Sequence, residues 1–152
     1  MIIETLFLRY LWLTMLLGVG LSTVNLWFRA RNRIAENPEL QEGYNQLFKG
    51  FFLSMSLPWL VMGIGIVLGG VPSYMEFFQP RNGNSFVLAF WLVILLLAAV
   101  GFWWVYFQEG AEFLAKHPGA LGARITSPLL VKILMGVVLV GGIVVFVLLW
   151  LR

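Results

Sequence analysis

An all-α, four-transmembrane-helix bundle is the expected architecture, on three grounds. Hydrophobic residues make up 61 % of the 152 positions and charged residues only 11 %, against about 25 % charged in soluble domains. The apolar residues gather in four stretches, at about 6–28, 47–71, 86–107 and 129–151. Each holds roughly 20 residues or more, enough at about 1.5 Å per residue to cross some 30 Å of hydrocarbon. Lipid offers no partner to a free backbone N–H or C=O, so each stretch must close its hydrogen bonds as a helix. A barrel would need shorter, alternating segments. The whole chain, 1–152, reads as a single integral membrane domain.

The first stretch does not have the form of a cleaved signal peptide. Glu4 precedes Arg9, and Asn25-Leu26-Trp27 is not a small-residue cleavage site. Arg9 sits close enough to the end of the span to reach the headgroups, with Glu4 as a nearby acid. Trp27 and Phe28 close the span as interfacial aromatics. The second stretch is followed by Tyr74, Glu76, Phe77 and Phe78, the third ends on Trp103, Trp104, Tyr106 and Phe107, and the fourth on Trp150. Lys132 stands one turn inside the fourth and can extend to the nearer face.

Charge sets the expected orientation. Arg29, Arg31, Arg33 and Lys49 lie between the first two spans. Lys116, Arg124 and Lys132 flank the connection between the last two. The other side carries Arg9, Arg81 and Arg152. The positive-inside rule makes the two basic connections cytoplasmic and both termini external, in the cell (cytoplasmic or inner) membrane. Most basic residues adjoin apolar segments, which fits a bilayer surface and not nucleic acid.

The connections share a pattern. Ile34-Ala35-Glu36-Asn37-Pro38 and Leu114-Ala115-Lys116-His117-Pro118 stand 80 residues apart. Two tandem helical hairpins would produce this, as would two independent helix-turn-helix connections. Asn37-Pro38-Glu39 and Ser127-Pro128 read as helix starts, with a capping residue before a first-turn proline. The first helix is expected to reach Glu36, and the second to begin near Pro38.

Several chemistries are excluded. No cysteine is present, so disulfides and thiolate sites are ruled out. There is no aspartate and one histidine, His117, so a site of several His or Asp ligands cannot form within one chain. His117 before Pro118 reads as a turn residue. No phosphate-binding loop, His-Glu-x-x-His or Gly-x-Ser-x-Gly occurs. No cofactor, metal or catalytic residue is assigned.

Polar and small residues within the spans are the remaining candidates. Asn25 lies one turn inside the first span, beside Ser22 and Thr23. Ser54, Ser56 and Pro58 share the second, where Pro58 withholds a donor from the Ser54 carbonyl and should kink the helix. Polar groups at helix breaks can line a passage, and serine and proline also serve plain packing. Gly65 and Gly69 form a Gly-x-x-x-Gly pair suited to close helix contact, within the chain or between copies. On the cytoplasmic side Arg29, Arg31, Arg33, Glu36, Glu39, Lys116 and Arg124 form a mixed-charge surface for ion pairing, anionic lipid or a docking partner.

Arg29-Ala30-Arg31-Asn32 followed by Glu36-Asn37-Pro38 resembles the Arg/Asn/Glu signature of the membrane-associated eicosanoid and glutathione metabolism family, which also has four spans and about this length. The likeness covers about ten residues, and lies at the end of the first helix instead of the start of the second. It implies a glutathione-transferase-type enzyme, with Arg29, Asn32 and Glu36 near a cytoplasmic cofactor site. The residues themselves favour a scaffold or accessory subunit, or a passive transport subunit, acting as an oligomer or inside a larger membrane complex.

Overall fold

In the computed structural model, residues 2–119 and 125–151 are described, with side chains from Arg9 onward. Arg124 and Arg152 lie outside the described residues, as does the side chain of Glu4. Four helices are long and apolar enough to cross a membrane. They are α1 (Ile2–Glu36), α2 (Gln41–Val67), α3 (Ser85–Phe107) and α5 (Pro128–Leu151), with a short α4 (Gly110–Lys116) before α5. Among the described residues there is no strand.

α1 and α2 form an antiparallel hairpin. At 35 residues α1 is about 52 Å long, well beyond a hydrocarbon core. It ends at Glu36, where Pro38 cannot continue it. Asn37 is extended (φ −140°), and its side chain makes no capping bond. A 3-10 turn over Pro38–Leu40 then leads into α2, which runs on through Pro58. Near the other end of the hairpin the Trp12 indole abuts Gly63.

α2 stops short of the apolar run that contains it. Gly69 adopts φ +72°, a left-handed conformation that glycine reaches without a Cβ penalty. The Gly70 N–H then returns to the Gly65 carbonyl (3.0 Å) and the Gly69 N–H to that of Ile66 (3.2 Å). This pair of bonds is a Schellman stop. Gly69 therefore lies past the helix end instead of on its packing face.

Residues 68–84 fold as a cap with two 3-10 turns, Tyr74–Phe78 and Pro80–Asn82. The Asn84 side chain accepts from the Phe86 N–H (2.9 Å), starting α3, and donates to the Gly70 carbonyl (2.7 Å), tying α3 to the end of α2. Phe77, fully buried, fills the space under the cap against Met62, Ile66, Val87, Phe90 and Trp91. The Trp91 indole N–H donates to the Phe77 carbonyl (2.7 Å). Phe146 of α5 closes this cluster, 5.0 Å from the Trp91 ring.

A second, smaller core of Val105, Ala111, Leu114 and Val131 sits at the opposite pole, where α3, α4 and α5 meet. The chain breaks out of α3 at Glu109, a non-glycine residue at φ +56°. The Tyr106 hydroxyl donates to the Lys132 carbonyl (2.6 Å), pinning the end of α3 to the start of α5.

Candidate functional site

The structure joins the two connections into one junction. Its centre is the Pro118 carbonyl, which follows α4. Arg33, from the last turn of α1, donates its Nη1 to that oxygen, and the Tyr44 hydroxyl of α2 donates to it from 2.9 Å. Proline cannot donate, but its carbonyl keeps two lone pairs, and both are engaged.

His117 completes the junction. It is 6 % exposed. Its Nδ1 lies 2.7 Å from the Phe113 carbonyl, so Nδ1 carries the proton of that bond. The ring meets Tyr44 edge-on (5.0 Å) and Phe113 at 4.5 Å. Nε2 faces the backbone of α2 at Gly43, where a Cβ would stand 2.0 Å from it. Only glycine admits the imidazole there. Tyr44 is 1 % exposed, and a buried phenol needs the partner that Pro118 supplies.

Beside the junction, Lys132 reaches Glu112 of α4 (3.3 Å), with both side chains partly exposed. The Glu112 carboxyl is held below its ordinary value, first by its own backbone N–H and then by Lys132. Lys132 thus leaves the first turn of α5 toward an acid on α4.

The charged residues singled out in the sequence separate into two groups. Arg33 turns inward to the junction, while Arg31, Glu36, Glu39 and Lys116 remain exposed around it. Arg31 lies 6.0 Å from the Trp27 ring. Arg29, also exposed, stands one turn before Arg33. Arg29, Asn32 and Glu36 share one outward face of α1.

The in-span candidates are not brought together. Asn25 points outward from α1. The Ser54 hydroxyl donates within its own helix, to the Gly50 carbonyl (2.7 Å). Ser56 is 5 % exposed, and its hydroxyl has no hydrogen-bond partner among the described residues. Pro58 is half-buried. Gly65 packs under Phe77 and Phe86.

Tyr44 and Gly43 escaped the sequence reading, and His117 was read there as a turn residue. The available signal was a polar aromatic and a glycine adjacent to each other, about one turn before an apolar span. That signal does not say which distant segment they meet. No family model matches this chain, and no curated protein or solved structure matches it either.

Proposed function

We propose that the protein is a multi-pass integral membrane protein of the cell membrane, a scaffold or accessory subunit working as an oligomer or within a larger membrane complex. Its docking surface is the pole around the Pro118 junction, placed in the cytoplasm by the positive-inside rule, with both termini outside. Large exposed apolar side chains along all four long helices support the membrane reading, among them Leu21 (71 %), Val67 (67 %), Leu92 (58 %) and Val138 (68 %). In water such a surface would associate without limit; in lipid it is solvated.

The observation that carries the docking role is the double acceptance at Pro118. It holds the α1–α2 connection against α4, so that Arg31, Glu36, Glu39 and Lys116 occupy fixed positions on one surface. Preorganised charges recognise a partner with less ordering cost than charges on free loops.

The test is purification from native membranes in mild detergent, with the intact assembly weighed. A companion chain should be retained by the unaltered protein and lost from an Arg31→Glu/Glu39→Lys variant that keeps the junction. Release of the protein from membranes by alkaline carbonate would remove the reading. So would a partner retained equally by both forms.

A further inference from the structure

Two titratable side chains are buried among the described residues, Tyr44 and His117. Histidine is the type whose ordinary charge change falls between about pH 5 and 8. Nδ1–H of His117 donates to the Phe113 carbonyl (2.7 Å), which leaves Nε2 as the unprotonated nitrogen of a neutral ring. Nε2 and Cε1 press on the α2 backbone at Gly43, where a Cβ would stand 2.0 and 2.5 Å from them. Among the described residues Nε2 makes no hydrogen bond there. From α1, the Arg33 guanidinium sits on the carbonyl of the next residue, Pro118. From α2, the Tyr44 phenol meets the imidazole edge-on, and from α4 come the Phe113 ring and carbonyl. Around them Arg29 and Lys116 are exposed cations, and Glu36, Glu39 and Glu42 are exposed acids. Glu112 is engaged by Lys132. No acid bonds to the imidazole among the described residues.

We infer that the junction is a latch released by acid: a second proton on His117 parts the α1–α2 connection from α4. The inference rests on the docking reading and supplies the regulation of that surface. The added N–H would point at Gly43 with no acceptor, and the added charge would lie beside the Arg33 guanidinium. A buried charge left unpaired is strongly disfavoured. The Phe113 bond strengthens on protonation, but it is already made, and it answers neither the new donor nor the like charge. His117 and Pro118 are consecutive, and proline stiffens the backbone between them. A ring that leaves Gly43 therefore displaces the carbonyl that Arg33 and Tyr44 hold. The open form takes up a proton that the closed form excludes, so closure is favoured above the histidine range and lost as pH falls through it. Glu112 does not supply this step, because its carboxyl is held below the ordinary carboxylate value. Once open, the connection no longer fixes Arg31, Glu36 and Glu39 relative to Lys116, and the docking surface loses its preorganisation.

His117 is the only histidine in the sequence, so its imidazole NMR signals report its protonation directly. In the purified full-length protein in detergent, those signals are followed from about pH 8 to about pH 5. Amide hydrogen exchange over residues 33–44 is measured alongside, corrected for the pH dependence of the chemical step. Protection of the connection should fall about tenfold or more across the imidazole titration, since one proton contributes up to about tenfold per pH unit. His117→Phe keeps a ring against Gly43 and cannot titrate, so its protection should stay level over the same range. Protection that holds in the parent down to about pH 5 would overturn the inference, whether or not the ring has titrated. So would a fall that precedes protonation of the ring, or an equal fall in His117→Phe. If that variant does not fold, coincidence of the two curves in the parent decides. Docking is tested apart, by weighing the native assembly at both ends of the range. A companion shed in acid by the parent and kept by His117→Phe supports latch and docking together. No companion at either pH removes the docking reading and leaves the latch to be decided by exchange.

Discussion

The two poles of the molecule are held by different physics. At the capped pole, Phe77 is enclosed by rings and aliphatic side chains, and its one strong hydrogen bond runs from Trp91 to the Phe77 backbone. At the other pole a smaller apolar core joins α3, α4 and α5, and α1 and α2 are tied to it by donors that reach one oxygen atom, the Pro118 carbonyl. The first arrangement tolerates no loss of volume. The second has two donors on one acceptor, so it should withstand loss of one better than the addition of a methyl group at Gly43, which would strike His117. Cores fail when emptied, and polar junctions fail when their geometry is displaced.

The largest effect should follow from emptying the capped pole. Phe77→Ala is expected to destabilise by about 3–5 kcal/mol, measured by reversible unfolding in detergent. A loss under about 1 kcal/mol would mean the cap is not part of the folded core.

Adding volume at the junction comes next. Gly43→Ala drives a Cβ into His117 and should cost about 1–3 kcal/mol. His117→Ala in the same chain should recover part of that cost, since the ring is what the methyl group strikes. Additive losses in the double variant would show that the two residues do not meet.

Removing one donor should do less. Tyr44→Phe keeps the ring against His117 and deletes the bond to Pro118, at a cost of about 1 kcal/mol. Because Arg33 still holds the carbonyl, the proteolytic resistance of the α1–α2 connection should fall only slightly in Tyr44→Phe and further with Arg33→Met added. If the double variant resisted as well as the parent, the junction would not be what anchors that connection.

The smallest effect concerns Glu112. Its carboxyl is more acidic in the folded protein than in the unfolded chain. The resulting stability is present above the unfolded carboxylate pKa and is lost as pH falls through the lower folded value. Glu112→Gln should therefore flatten the acid side of the stability profile and leave the alkaline side unchanged. The exposure of both partners keeps the effect small. An unaltered acid limb in the variant would show that Glu112 is not its source.

Much of this molecule is legible in its sequence. Helix ends at Glu36 and near Phe107, and a start at Pro128, followed from prolines, aromatics and the limits of the apolar runs. The end of α2 did not, because a run of Leu, Gly, Gly and Val is as apolar as a span while its first glycine, Gly69, turns left-handed. The short α4 was missed for a related reason: a seven-residue helix between an exposed glutamate and His117-Pro118 carries too little periodicity to stand out. The junction was invisible, since Arg33 and Pro118 are 85 residues apart and a backbone carbonyl has no letter in the sequence.

By itself the sequence determined four long helices and most of their limits, because length, apolarity and proline placement act locally and a hydrocarbon solvent would leave the backbone no other conformation. Tertiary structure alone decided which face of each helix is covered. It turned Arg33 inward and left Arg31 outside, buried Phe77 and Tyr44, and left Asn25 facing away from its own chain. Those outcomes depend on which distant surfaces fit one another, and complementarity of shape and hydrogen bonding belongs to pairs of segments, not to either segment alone.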